Sequence, residues 1–207
     1  MGSGLRKKPP RSTRDRVLAV AAEIFAERGY GLTAMRDIAR AARLRVATLY
    51  HHFRSKEELY REVLDREQAK LRDMMNTAFA EETDFTEQVG RAVGMAVDHH
   101  RANPHLAKLG LRALLGDGLT RPYDVRWLGM MDALLRPRAT KGEIKDVDPA
   151  LFLISAGAMI MHHAIAGQAY RELLDGRGEE ELARRTREHV VQIVLRTLGL
   201  DRAEDER

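Results

Sequence analysis

Apolar and polar side chains recur along most of this chain with the period of an α-helix. The first helical segment starts at Ser12 or Thr13, either of which can cap it. It reaches Gly29, where a glycine can end a helix in a left-handed conformation. Its apolar positions follow the i, i+3, i+4, i+7 spacing and are Val17, Leu18, Ala21, Ile24 and Phe25.

Two short helices and one long helix follow. The second helix, residues 33–42, is predicted to have Thr33 as its N-cap, and the third covers residues 45–52. The fourth, residues 55–80, opens with a capping box, in which the Ser55 hydroxyl accepts from a first-turn amide while Glu58 reaches back.

Helix start signals continue through the rest of the chain. Asp84, Pro104 and the pair Asp148-Pro149 each mark the beginning of a helix. Two more helices are predicted over residues 121–136 and 179–198, with a break at residues 116–118 and a polar loop at residues 138–147. Strand-like alternation and repeats do not occur. The predicted fold class is all-α, with about nine helices.

Composition and charge narrow the class of protein. Hydrophobic residues make up 44% of the 207 residues, and cysteine is absent, which excludes disulfides, thiolate metal sites and a cysteine nucleophile. We therefore predict no metal, no cofactor and a cytoplasmic location. Residues 1–60 carry 13 Lys and Arg against 6 Asp and Glu, a net charge of +7, whereas residues 61–207 carry 22 against 25, a net charge of −3. This asymmetry indicates that the N-terminal end meets an anion.

The second and third helices suit a helix-turn-helix, because about three residues join them on a longer first helix. In that plan the second helix of the pair enters the major groove of DNA. Leu49 and Phe53 can anchor this reading helix and leave its polar side chains free. The candidate DNA contacts by residue type are Arg36, Arg40, Arg43, Arg45, Ala47, Thr48, Tyr50, His51 and Lys56.

Residues 13–60 resemble the DNA-binding domain of the tetracycline-repressor (TetR) family. The resemblance rests on residues 29–42 and on the run Leu49-Tyr50-His51-His52-Phe53-x-Ser55-Lys56-Glu57-x-Leu59. It implies an all-α homodimer with an N-terminal helix-turn-helix domain, residues 13–60, and a larger ligand-binding and dimerisation domain, residues 61–200. Residues 1–12 form a flexible basic arm and residues 201–207 a polar tail. The positions that match the family's DNA contacts are Thr33, Thr48, Tyr50, His51 and Lys56.

The turn between the two short helices departs from the family pattern, which usually has Gly at 43, Ser at 45 and often Gly at 47. This chain has Arg43, Arg45 and Ala47. Arg43 carries a steric cost if the backbone is left-handed there, and the loss of serine at 45 removes a helix cap worth about 1 kcal/mol. We expect the two arginines to offset this by contacting DNA phosphates.

Three alternatives compete with a regulator. An enzyme is disfavoured, because the chain contains no Gly-rich phosphate loop, nucleophile elbow or His-Glu-x-x-His motif. A metal site at Tyr50-His51-His52 is disfavoured, because adjacent histidines on a helix point about 100° apart. Residues 150–170 carry no charged side chain and are long enough to span a membrane, but a helix that is apolar on all faces is more often buried between protein layers.

Ligand binding and dimerisation are predicted for the C-terminal domain. Residues that suit an adaptable apolar pocket are Met95, His99, His100, Trp127, Met130, Met131, Phe152, Met159, His162 and His163. Small or apolar residues that suit a dimer interface are Ala156, Gly157, Ala164, Gly167, Val190, Ile193 and Val194. The predicted function is a DNA-binding regulator, most simply a repressor released by a small effector, with an activator or a ligand-independent regulator as the alternative. The expected partners are a roughly palindromic operator, the effector and a second copy of the chain.

Overall fold

The computed structural model describes residues 12–80, 83–115, 125–167 and 178–201. Within these ranges the chain forms nine α-helices and no strand, which confirms the predicted all-α class. The predicted arm up to residue 11, the helix break at residues 116–118 and the tail from residue 202 lie outside the described residues. The helices are α1 (Thr13–Leu32), α2 (Met35–Ala41), α3 (Val46–His52), α4 (Lys56–Ala80), α5 (Phe85–Ala102), α6 (Pro104–Leu114), α7 (Val125–Thr140), α8 (Pro149–Ala166) and α9 (Glu179–Leu198).

Helix α1 begins at the predicted serine and continues past the predicted end. The Ser12 hydroxyl accepts from the Asp15 amide at 3.0 Å, and the Asp15 carboxylate accepts in return from the Ser12 amide at 3.3 Å. The Ser12 hydroxyl also donates to the Asp15 carboxylate at 2.8 Å, and this hydrogen bond above all lowers the pKa of Asp15 below its usual value. Gly29 has φ +76°, so the backbone kinks there, but one further turn carries the helix to Leu32.

The start of α2 differs from the prediction. Its N-cap is Ala34, which makes no side-chain hydrogen bond. Thr33 instead closes α1, because its amide donates to the Tyr30 carbonyl at 3.3 Å and its hydroxyl donates to the Gly29 carbonyl at 2.7 Å. The prediction of Thr33 as the N-cap of the second helix is therefore wrong, since this hydroxyl is already used by the preceding helix.

Two further local predictions are adjusted by the structure. The Ser55 hydroxyl accepts from the Glu58 amide at 3.0 Å as predicted, but the Glu58 carboxylate accepts from the Arg54 amide at 2.7 Å, one residue further back than the capping box requires. Helix α7 runs through Pro137 to Thr140, so the predicted loop starts at residue 141 rather than at residue 138.

The N-terminal core draws on both predicted domains. Phe25, Ile38 and Leu49 are completely buried between α1, α2 and α3. Leu106 and Leu109 of α6 belong to the same apolar cluster, although they lie far beyond residue 60. The core of the DNA-binding domain predicted over residues 13–60 therefore includes two side chains from the predicted C-terminal domain.

A second core holds the C-terminal domain together. It contains Val89 of α5, Leu135 of α7, Ile144 of the following loop, and Val194 and Leu198 of α9. Helices α5 and α9 lie against each other, and the Arg187 side chain of α9 crosses α5 where Gly94 leaves room for it. Its Nε atom donates to the Asp98 carboxylate at 3.2 Å.

Helix α8 starts as predicted but is not buried as predicted. The Asp148 carboxylate accepts from the amides of Ala150 and Leu151 at 2.8 and 2.9 Å, and Pro149 is the first helical residue. None of its 18 residues is buried in the chain, so the expectation of a helix enclosed between layers is wrong. By length and apolar composition alone this helix is also able to cross a membrane. Its exposed residues share one face, which we call the α8 stripe: Leu151, Ile154, Ser155, Ala158 and His162.

Candidate nucleic-acid interface

The turn between α2 and α3 has the hydrogen-bond pattern of a Schellman motif. The Leu44 amide donates to the Ala39 carbonyl at 2.8 Å, and the Arg43 amide donates to the Arg40 carbonyl at 3.0 Å. Arg43 has φ +56°. Among the described residues, every other residue with positive φ is a glycine. The turn therefore adopts the left-handed conformation that favours glycine, at a cost of about 1–2 kcal/mol for an arginine.

Helix α3 is anchored by buried side chains and has no side-chain cap at its start. Leu49 and Phe53 are both completely buried, and the Phe53 amide donates to the Leu49 carbonyl at 3.0 Å. Arg45 occupies the N-cap position without a side-chain hydrogen bond, as expected when arginine replaces serine there. The position of α3 is therefore fixed by packing rather than by capping.

Seven of the ten predicted DNA contacts are exposed side chains on α2, the turn and α3. These seven are Arg36, Arg40, Arg43, Arg45, Ala47, Tyr50 and His51, while Thr48 is half-buried. Neither Arg43 nor Arg45 forms an ion pair with a carboxylate in the part of the chain that the structure describes. Both guanidinium groups are therefore available to an external anion.

Two other predicted contacts, Thr33 and Lys56, are engaged inside the domain. The Lys56 ammonium donates to the carbonyls of Tyr30 and Thr33 at 2.8 and 2.9 Å, and it lies 4.2 Å from the centre of the Tyr30 ring. It thus holds the first residue of α4 to the end of α1. Thr33 is only 2% exposed. DNA contact by these two residues stays a prediction, and Lys56 also has a structural role that sequence reasoning missed.

Helix α6 is hydrogen-bonded to α1. The Arg112 side chain donates from Nε to the Ala26 carbonyl and from Nη2 to the Glu27 carbonyl, both at 2.9 Å. These carbonyls lie just before the kink at Gly29. Nothing in the local sequence distinguishes Arg112 from other helical arginines, so sequence reasoning had no signal for this link.

The predicted pocket residues lie on α5, α7 and α8. His99 and His100 on α5 face α4, where the His99 Nε2 atom lies 3.9 Å from the Glu67 carboxylate. Phe152 and Met159 on α8 pack against the C-terminal core. Of the remaining candidates, Met131 is buried, Met95, Met130 and His163 are half-buried, His162 is exposed, and the Trp127 side chain lies outside the described residues.

Three of the candidate histidines, His99 and His100 on α5 and His163 on α8, have a lowered pKa for the same reason. Burial lowers the pKa of His99, and the neighbouring His100 lowers it further. Burial also lowers the pKa of His100 and of His163, whose ring centre lies 6.2 Å from that of His189 on α9. These imidazoles are therefore neutral at physiological pH.

The predicted dimer residues are less accessible than the α8 stripe. Val190 and Val194 are buried in the core of their own chain, so a second copy of the chain is unable to reach them. Ala156, Gly157, Ala164 and Gly167 are half-buried on the sides of α8 away from the stripe, and Ile193 is also half-buried. An apolar or small-residue pattern in the sequence does not separate an intrachain core from an interface.

Helices α2 and α3, joined by the turn at Arg43 and packed on the longer α1, form a helix-turn-helix. Residues 17–63 match the family described as bacterial regulatory proteins, tetR family. This region is therefore similar to the DNA-binding domain of the TetR family, as the sequence motifs predicted. The description of that family as regulatory proteins agrees with the prediction of a regulator.

Relatives and solved structures extend the comparison unevenly. The chain is 51% identical over 55 residues to the transcriptional repressor KstR2 of Mycolicibacterium smegmatis, which is 27% of each chain. It is 39% identical over 95 residues to KstR2 of Mycobacterium tuberculosis, which is 44% of this chain and 47% of that protein. The chain thus matches less than half the length of these curated relatives.

The fold match covers both domains. The structure of the transcriptional regulator SCO4942 from Streptomyces coelicolor superposes with a TM-score of 0.72 and 25% identity, covering 90% of this chain and 98% of that one. The fatty acid degradation regulator FadR from Bacillus halodurans superposes with a TM-score of 0.64 and 23% identity, covering 92% and 97%. At this identity the second likeness concerns the fold alone.

Proposed function

We propose that this chain is a transcriptional repressor that binds a roughly palindromic operator as a homodimer in the cytoplasm and is released by a small, mostly apolar effector. The observation that carries the proposal is the anchored α3 helix with unpaired arginines beside it, within the region that matches the TetR family. In a helix-turn-helix dimer the half-site centres lie about 34–36 Å apart, which is one helical turn of DNA.

The charge at the turn supports phosphate binding. Arg43 and Arg45 are exposed and flank α3, so they are placed to neutralise the backbone while α3 meets the bases. Each phosphate contact that is lost lowers the slope of log K against log salt by about 0.9. The arginines therefore predict binding that weakens steeply as salt rises.

DNA binding is tested by gel shift against the DNA that flanks the protein's own gene, at two salt concentrations. We expect a sequence-specific shift for the wild type and, for Arg45→Ala, weaker binding with a salt slope lower by about 1. Arg185→Ala is the matched control, because Arg185 is an exposed arginine on α9 and should leave both quantities unchanged. No shift at either salt concentration would refute the proposal.

Dimerisation is supported by the α8 stripe. Leu151 and Ile154 are 65% and 46% exposed in the single chain, and an exposed apolar helix face of this kind is typical of a subunit interface. Sedimentation equilibrium should give a dimer for the wild type and a monomer for Ile154→Asp. Gln192→Asp on the polar outer face of α9 is the control that should stay dimeric. A wild-type monomer at micromolar concentration contradicts this part of the proposal.

Effector release is supported by the connection between α6 and α1. Leu106 and Leu109 belong to the N-terminal core, and Arg112 holds two carbonyls of α1. A ligand that displaces α6 therefore acts directly on the helix that supports α2 and α3. By linkage, the effector and the operator must weaken each other's binding by the same factor. Native mass spectrometry of the purified protein identifies a retained ligand, and adding that ligand back should raise the operator Kd. A ligand that binds without changing the Kd refutes this step.

A further inference from the structure

The outward face of α3 begins with two apolar side chains. Val46, the first residue of the helix, is 40% exposed, and Ala47 beside it is also exposed. The helix does not need Val46 for its own packing, because Leu49 and Phe53 anchor it and both are completely buried. A β-branched apolar side chain is therefore presented to solvent on the surface that faces DNA in the proposed function.

The second turn of α3 is different in chemistry. Tyr50 is 48% exposed and lies four residues after Val46, on the same face, with the exposed His51 next to it. Both of these side chains carry hydrogen-bonding groups, whereas Val46 and Ala47 carry none. The exposed side chains of α3 are thus apolar in the first turn and polar in the second turn.

The geometry points to Val46 as a specificity-determining residue that packs against the C5-methyl group of a thymine in each operator half-site. This inference rests on the proposed DNA binding and adds a contact and a base to it. Among the groups that base pairs display in the major groove, the thymine methyl is the apolar one. Residues at the start of a recognition helix are those that reach base edges. Since Val46 has neither a donor nor an acceptor, it discriminates by burying that methyl group.

The expected size of the effect follows from the area involved. Burying one methyl group contributes about a four-fold change in affinity. The contact involves no charge, so its loss should lower the affinity for the operator without changing the salt slope. This separates Val46 from Arg43 and Arg45, whose removal changes the salt slope.

The test starts from an operator sequence selected from random duplex DNA with the full-length wild-type protein. Each thymine of the half-site is then replaced singly by deoxyuridine, which keeps base pairing and removes only the methyl group. Fluorescence anisotropy should show about four-fold weaker binding of the wild type at one or two of these positions. Val46→Ala should bind the unmodified operator more weakly, with an unchanged salt slope, and should no longer respond to deoxyuridine at those positions.

Controls separate the inference from the function on which it rests. Val46→Thr keeps the shape and one methyl group and should retain part of the response, and urea unfolding should show that both variants are as stable as the wild type, because the side chain is exposed. If deoxyuridine weakens Val46→Ala and the wild type equally at every position, Val46 is not the residue that reads the methyl. If the selection enriches no sequence, the proposed function itself is refuted.

Discussion

The ends of α2 and α9 use the same hydrogen-bond pattern with different residues at the critical position. After α9 the Leu200 amide donates to the Leu195 carbonyl at 2.9 Å, and Gly199 has φ +72°. After α2 the Leu44 amide donates to the Ala39 carbonyl at 2.8 Å, and Arg43 has φ +56°. One left-handed position therefore carries the residue that is suited to it, and the other carries one that is not.

The surroundings of the two positions explain the difference. Gly199 is buried, and a Cβ atom added there would lie 3.0 Å from Cγ of Lys145, whose amide donates to the Leu198 carbonyl at 2.9 Å. Both conformation and space therefore call for glycine at this site. Arg43 is exposed, so only the backbone conformation disfavours its side chain. At the proposed DNA surface the chain thus accepts a local loss of stability in exchange for a positive charge.

The largest effect is expected from Gly199→Ala. The substitution places a Cβ atom on a left-handed backbone and pushes it against Lys145, so the free energy of unfolding should fall by about 1–2 kcal/mol. Urea unfolding measures this loss. Operator affinity should not change, because Gly199 follows the last helix. A variant as stable as the wild type would show that the end of α9 relaxes and that a side chain at this left-handed position carries no steric cost.

A smaller effect of the opposite sign is expected from Arg43→Gly. Relief of the left-handed arginine should raise the free energy of unfolding by about 0.5–1 kcal/mol, after allowing for the extra backbone entropy of glycine in the unfolded chain. Operator affinity should fall, with a salt slope lower by about 1. Arg43→Lys is the control, because it keeps the charge and the steric cost. Equal stability of Arg43→Gly and the wild type contradicts the prediction.

At the start of α3 a positive charge also replaces a residue that would stabilise the fold. Arg45→Ser should supply the missing N-cap and stabilise the protein by about 0.5 kcal/mol, while it weakens DNA binding. Ser55→Ala is the matched change in the other direction, because the Ser55 hydroxyl does accept a hydrogen bond at the start of α4. Thermal unfolding should move the two variants in opposite directions. If neither moves, the caps do not limit stability in this domain.

Stability should also depend on pH through residues remote from both helix ends. Burial lowers the pKa of His99, His100 and His163, so below about pH 6.5 the unfolded chain binds more protons than the folded one. The free energy of unfolding should therefore be greatest above that pH and fall as the pH drops below it. Urea unfolding at pH 7.5 and 5.5 tests this, and His100→Asn should weaken the dependence.

The same pH series tests whether the α2–α3 turn is independent of these histidines. None of these histidines contacts the α2–α3 turn, so the stability difference between Arg43→Gly and the wild type should stay constant across the range, within the roughly 0.5 kcal/mol expected for independent sites. A difference that changes with pH would show that the turn and the C-terminal histidines are coupled.

Local signals in the sequence were sufficient for most of the fold. The Asp148-Pro149 start and the anchoring role of Leu49 and Phe53 follow from short-range chemistry, so periodicity and capping rules found them. The left-handed conformation at 43 agrees with the glycine that the TetR family usually has there. The second helix was placed too early, because a threonine can serve either the helix before it or the helix after it. The choice depends on the Gly29 carbonyl, which accepts from Thr33.

Long-range partners escaped prediction for a different reason. From the sequence Lys56 is predicted to contact DNA, yet in the structure its ammonium donates to carbonyls 23 and 26 residues away. Burial at Val190 and Val194 depends on the packing of α9 against α5, and an apolar stripe alone does not tell a core from an interface. Val46 is not among the predicted DNA contacts, because the sequence alone does not tell an exposed valine from a buried one. Exposure in the folded chain is what distinguishes it.

The shared core between α6 and the N-terminal helices limits how this protein can be divided for engineering. A fragment that ends near residue 63 would contain the whole DNA-reading motif, yet it would lack Leu106 and Leu109 and leave the Ala26 and Glu27 carbonyls without Arg112. A chimaera that joins this DNA-binding domain to another ligand-binding domain must therefore include α6, or a helix with the same three side chains. The place to exchange modules lies after α6, not at the boundary that the motif suggests.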